Sequence, residues 1–122
     1  MINSILFTPG SCNDLDLGIG SGSVPDDKIT ASSVQSARTP AKNGRLGRTA
    51  GSSWCAEASD PSPYLQIDLQ TLHIICAVST QGNSRVDEWV EIYTLESSID
   101  GSHWTEYYDE AGKVKVKRKT TV

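Results

Sequence analysis

From Leu65 onward, apolar and polar side chains alternate. Leu65, Ile67 and Leu69 fall on one parity, and Gln66, Asp68 and Gln70 on the other. A period of two predicts a strand with one buried face and one wet face. Ile74 to Val78 is apolar on both parities, with Ile74, Cys76 and Val78 set against Ile75 and Ala77, which predicts a central strand covered on both sides. A third strand is predicted over Trp89–Ser97, where Val90, Ile92 and Thr94 share one parity and Trp89, Tyr93 and Leu95 the other. Asp100-Gly101 predicts a hairpin turn, because both residue types tolerate the positive φ of tight turns. Trp104–Tyr108 then returns antiparallel, and Glu110-Ala111-Gly112 turns the chain into Lys113-Val114-Lys115-Val116-Lys117. That last alternation fits a half-buried strand or a solvated tail.

The first half is richer in turns. Gly18 to Gly22 holds three glycines, Pro25-Asp26-Asp27 predicts a turn, and Asp60-Pro61-Ser62-Pro63 breaks the chain again. Between them lie short extended pieces such as Ile29–Ser32. No window sustains an apolar stripe at helical spacing, and there is no internal repeat. Short strands joined by Gly/Pro turns indicate an all-β, antiparallel sandwich or barrel.

With 122 residues the chain suits one domain. No apolar run approaches the roughly 20 residues of a membrane-spanning helix. Ile2–Phe7 is too short for a signal-peptide core and has no positive flank, so secretion is not legible there. The net charge is −4. Five of the basic residues (Lys113, Lys115, Lys117, Arg118 and Lys119) form one C-terminal run, which leaves a strongly acidic body. Such a body argues against a surface that tracks phosphates, so no nucleic-acid partner is expected. A nuclear or membrane-surface role for the basic run alone stands as a weaker reading.

The candidate chemistry is sparse. Cys12, Cys55 and Cys76 show no CxxC spacing, and His73 and His103 have no partner ligands near them in sequence, so no metal or cofactor is expected. No GxSxG elbow presents a nucleophile, which argues against an enzyme. Gly18-Ile19-Gly20-Ser21-Gly22 lacks the Lys-Ser/Thr ending of a phosphate loop. Asp14, Asp16, Asp26 and Asp27 lack EF-hand spacing and serve equally well as turn formers. Cys76 is expected to be a buried apolar residue, His103 a surface residue, and Trp54, Trp89 and Trp104 core or platform residues.

An ordered series of short motifs carries a resemblance. Cys12, Leu17-Gly18, Val24-Pro25-Asp26 and Ile29-Thr30-Ala31-Ser32-Ser33 are followed by Gly44-Arg45-Leu46, Ser53-Trp54-Cys55 and Tyr64-Leu65-Gln66-Ile67-Asp68-Leu69. Thr80-Gln81-Gly82, Glu88-Trp89-Val90 and Ser98-Ile99-Asp100-Gly101-Ser102-His103-Trp104 complete it. In this order they resemble the discoidin domain, also called the coagulation factor 5/8 type C domain, from Cys12 to about Tyr108. Trp54-Cys55, the stretch from Tyr64 through His73, and Thr80-Gln81-Gly82 are especially similar to the discoidin domain receptors, which bind collagen.

The resemblance implies an antiparallel jelly-roll β-sandwich, galactose-binding-domain-like, extracellular or cell-surface and non-enzymatic, with ligands held by loops at one end. Residues 1–11 would be a lead-in and 12–122 one incomplete domain, missing its last strands. In the family Cys12 would bond the last residue of the domain, and in the receptor subgroup Cys55 would bond a second C-terminal cysteine. Both partners are absent from this chain. An open sheet edge able to pair with another chain, and marginal stability, would follow.

The resemblance places ligand binding on Val34–Asn43 and Asn83–Glu88, with Gln35, Arg38, Thr39, Lys42, Asn83, Arg85 and Glu88 as candidate contacts. Where the collagen-binding receptors carry a tryptophan after the Ser-Ser pair, this chain has Gln35, while Thr39 matches theirs. Their acidic residue before Trp-Cys is Gly51 here, their arginine after Thr-Gln-Gly is Asn83, and Glu88 keeps an acidic position. Val34 is the one apolar residue of these loops with reach, so insertion into a membrane is not expected. The expected function is adhesion to an extracellular matrix protein, collagen-like or other. The alternative is a carbohydrate-binding module that targets a larger protein to glycans.

Overall fold

The computed structural model describes residues 18–45, 53–73, 75, 78, 80–83 and 88–108. The chain divides into two compact units, Met1–Trp89 and Val90–Val122. In the first unit, β1 (Ile29–Ala31) pairs antiparallel with β2 (Leu65–Ile67), with Ile29 opposite Ile67 and Ala31 opposite Leu65. The ladder runs one bond further at each end, where the Asp68 amide donates to the Lys28 carbonyl (2.9 Å) and the Ser32 amide to the Tyr64 carbonyl (3.1 Å). Ile19, Val24 and Ile29 are buried together, and Ala41, Leu65, Ile67 and Leu69 pack against them. The alternation predicted over Leu65 to Leu69 therefore places the expected parity inward. Burying side chains of this kind contributes roughly 1.5–3 kcal/mol each. β2 ends where the Gln70 amide turns back onto the Asp68 carboxylate (2.8 Å), with Gln70 in the left-handed region at φ 65°.

Chain entry into β1 depends on a glycine. The Gly18 carbonyl accepts the Val24 amide (3.0 Å), closing a loop that brings Ile19 and Val24 to the same core. Gly18 adopts φ 95°, and a Cβ there would lie 2.6 Å from that of Ser23. No other residue fits without displacing the loop. Pro25 leads into a 3-10 turn over Asp26–Lys28, as its turn chemistry predicts, and a second such turn spans Ala41–Gly44.

The described part of the second unit is a hairpin. β3 (Glu96–Ser97) pairs antiparallel with β4 (Thr105–Glu106), and the Tyr107 amide extends the ladder to the Leu95 carbonyl (2.8 Å). Its turn forms at Asp100-Gly101 as expected, with Gly101 at φ 74°. The Asp100 carboxylate accepts the amides of Ser102 and His103 (2.8 Å each) and faces the His103 ring (2.7 Å).

Three expectations need correction. The strand predicted over Trp89–Ser97 is only the pair Glu96–Ser97, and its return is shorter than Trp104–Tyr108. Glu96 lies directly opposite Glu106, and like charges facing across a ladder weaken it. Of the tryptophans expected as core or platform residues, Trp54 is buried, whereas Trp89 and Trp104 are 39% and 43% exposed and so are not core; beside Trp104, a two-stranded ribbon this short has little interior to offer an indole ring. Of the central strand expected at Ile74 to Val78, positions 74, 76 and 77 lie outside the described residues. Ile75 and Val78 are not in a strand, and Ile75 is exposed. The basic run from Lys113 also lies outside. All strands among the described residues are antiparallel and no α-helix occurs among them, in keeping with the all-β expectation.

Candidate functional site

A short buried run, Ser53-Trp54-Cys55, organises the candidate loops. These residues retain 3%, 2% and 8% of their exposure. Trp54 donates its indole N–H to the Ser33 carbonyl (2.9 Å), which satisfies the one polar atom of a buried ring. The Cys55 carbonyl accepts the Gln35 amide (2.8 Å), fastening the start of loop 34–43. The Ser53 hydroxyl accepts from the Asn83 side-chain amide (3.3 Å), fastening the start of loop 83–88. Asn83 and Glu88 pair across that second loop, the Asn83 amide donating to the Glu88 carbonyl (2.9 Å). The starts of two loops far apart in sequence are thus both bonded to one buried segment of the first unit.

The first loop holds its shape through its own polar groups. The Thr39 amide donates to the Ser36 carbonyl (3.0 Å), while the Ser36 amide donates to the Thr39 hydroxyl (3.1 Å) and the Arg38 amide to the Ser36 hydroxyl (3.2 Å). Asn43, buried, sends its side-chain N–H to the Arg38 carbonyl (3.1 Å). Arg38 is consequently clamped along its backbone on both sides, and its side chain is exposed. The hydroxyls of serine and threonine compete well for nearby backbone groups, so this sequence closes locally into turns.

Two carboxylates anchor what lies behind the loops. The buried Arg45 guanidinium donates to Asp26 through Nε (3.0 Å) and Nη2 (2.8 Å), to the Ile19 carbonyl (2.8 Å), and to the Val24 carbonyl. Hydrogen bonds from Arg45 hold the Asp26 carboxyl below its ordinary value, outweighing desolvation, with the charges of Arg45 and Lys42 adding to the effect. Lys42 lies 3.5 Å from the same carboxylate. Asp60 accepts the hydroxyls of Ser32 and Ser33 (2.6 Å each) and the Ser62 amide (3.0 Å), and these bonds depress its carboxyl in turn. The Ser-Ser pair at the mouth of the first loop is thereby pinned.

The candidate residues accordingly separate by role. Gln35, Arg38 and Glu88 present exposed side chains, whereas the Thr39 hydroxyl is turned into the Ser36 turn and Lys42 is paired with Asp26. Asn83 is half-buried and bonded to Ser53. Arg85 and Cys12 lie outside the described residues. Cys55 is buried with a free thiol, its sulfur 3.8 Å from the Ser53 hydroxyl. Asp26, one of the weighed calcium candidates, is engaged by two cations, and no cluster of potential metal ligands occurs among the described residues. Sequence reasoning missed Ser53, Asn43 and Arg45. The available signal was their position inside or beside the motifs Ser53-Trp54-Cys55 and Gly44-Arg45-Leu46. Among the described residues, what the arrangement offers chemically is hydrogen bonding and the exposed Arg38 guanidinium, on a backbone held from behind.

Comparison with known proteins gives these features a family context. The family model for the F5/8 type C domain matches residues 28–122. Human epithelial discoidin domain-containing receptor 1 is 36% identical over 114 residues, which is 88% of this chain and 12% of the receptor. Mouse retinoschisin is 34% identical over 107 residues, 82% of this chain and 48% of that protein. Mouse coagulation factor VIII is 36% identical over 114 residues, 87% of this chain and 5% of the factor. The chain therefore spans less than half the length of each of these relatives. Among the described residues no helix is long and apolar enough to cross a membrane.

Proposed function

We infer that this chain, which belongs to the F5/8 type C domain family, is a non-catalytic recognition module working outside the cell. The family is one of β-sandwiches, and the arrangement proposed here is its jelly-roll form, with loops 34–43 and 83–88 at one end. Their partner is a matrix protein, collagen-like or other. The observation that carries this reading is the joining of both loops to the buried Ser53-Trp54-Cys55 run. Loops pre-set by a buried scaffold lose less entropy on binding than free ones, so they suit recognition.

The contact chemistry is polar. Gln35 stands where the collagen-binding receptors carry a tryptophan, so hydrogen bonds and the Arg38 charge replace an aromatic anchor. The same chemistry supports a second reading, a glycan partner, since sugar hydroxyls pair with Gln, Asn and Arg side chains. The test is solid-phase binding of the full chain to fibrillar collagen, run beside a glycan array. Arg38→Ala is expected to weaken the collagen signal roughly 10- to 150-fold, the range of a charge-assisted hydrogen bond. Binding indifferent to Arg38→Ala and to Arg85→Ala would reject the loop assignment. A signal on the glycan array alone would select the second reading.

A further inference from the structure

A buried hydroxyl holds the start of the second loop. Ser53 retains only 3% exposure, yet its Oγ lies between the Asn83 side-chain amide (3.3 Å) and the Cys55 sulfur (3.8 Å). On the same three-residue run, the Cys55 carbonyl holds the Gln35 amide (2.8 Å) and the Trp54 indole reaches back to the Ser33 carbonyl (2.9 Å). The run is too short to stretch, and its tryptophan is fully enclosed. The separation between its two attachment points is therefore fixed by covalent geometry.

We propose that Ser53 is a positioning residue for recognition: its hydroxyl sets where Asn83 and Glu88, the two ends of the second loop, stand relative to the first loop, so that Glu88 and the Gln35–Arg38 surface meet a partner as one unit. The proposal rests on the reading of the two loops given above and adds the device that registers them. Position is transmitted in two steps. Ser53 holds the Asn83 side chain, and the Asn83 backbone holds Glu88 through the 2.9 Å bond that closes the loop. Removing the hydroxyl leaves the Asn83 amide without this acceptor while the apolar packing around Trp54 is retained. The loop closure should loosen while the core stays closed.

Amide hydrogen exchange on the full chain reads this directly. In Ser53→Ala the amide at position 83 is expected to exchange roughly 5-fold faster, the weight of one ordinary hydrogen bond. The Asp68 amide, bonded to Lys28 on the β1–β2 ladder, should keep its rate. Asn83→Ala, which removes the donor, should also accelerate exchange there, and the double variant should fall short of the sum of the two, because both changes remove the same Ser53–Asn83 bond. Should Ser53→Ala fail to fold, Asn83→Ala carries the comparison alone. An unchanged rate at position 83, or equal acceleration at 83 and Asp68, overturns the proposal. Binding of the wild-type chain to fibrillar collagen bears only on the functional reading, so failure of one is told apart from failure of the other.

Discussion

Arg45 departs furthest from the usual behaviour of its residue type. An arginine is ordinarily at the surface, yet this one is buried and engaged by a carboxylate and two backbone carbonyls. Charge-assisted bonds of this kind offset the desolvation of the guanidinium only while every partner remains. Arg45→Ala should therefore cost roughly 2–4 kcal/mol at neutral pH, since it leaves buried carbonyls without their donor. The pH dependence follows from Asp26. Its folded-state carboxyl lies below the usual 3.8, because Arg45 bonds the charged form. A lowered folded value contributes stability that is present above the unfolded value and lost as pH falls through the folded one. Thermal unfolding of wild type and Arg45→Ala, followed by circular dichroism from neutral pH into acid, should draw closer as Asp26 protonates without meeting, because the Ile19 and Val24 carbonyls still lack their donor in the variant. A constant gap between them across that range would contradict this account.

Short elements account for how much of the fold was legible. The β1–β2 pair was readable because Leu65, Ile67 and Leu69 alternate cleanly and bury the same side, and the hairpin turn because Asp-Gly chemistry is local. Strand length was not readable. Glu96 faces Glu106 only once the register is known, and nothing in the periodicity of Trp89–Ser97 announces that clash. The Ser53 and Arg45 contacts were hidden for a related reason: their partners lie 30 and 19 residues away in sequence. Alternation patterns carry no information about such pairings, although the motifs containing these residues were visible. At this scale the turn is the testable part. Gly101 sits at φ 74° with open space around its would-be Cβ, so Gly101→Ala brings backbone strain without a clash. It should weaken the hairpin by about 1 kcal/mol, seen as faster exchange of the Tyr107 amide with the Asp68 amide unaffected. Acceleration at both amides would mean that the turn's strain is not confined to the hairpin.

At the scale of the whole molecule, the chain belongs to the F5/8 type C domain family, and the proposed function assigns recognition to its loops 34–43 and 83–88 and support to the buried residues beneath them. On the resemblance to the discoidin domain receptors, Gln35 and Asn83 would stand in place of a tryptophan and an arginine, while Trp54 and Cys55 would match the buried run beneath the loops. Scaffold and contact surface can diverge separately, because the energetics of the first come from burial and those of the second from the partner. The central claim is that a partner meets the two loops together. Its most direct test is an NMR titration of the isotopically labelled full chain with a triple-helical collagen peptide. Amide shifts should move jointly at Gln35, Arg38, Asn83 and Glu88, while those of the Asp100–Ser102 turn stay fixed. Shifts confined to that turn or to the Gln70–His73 segment, or the absence of any shift, would contradict it.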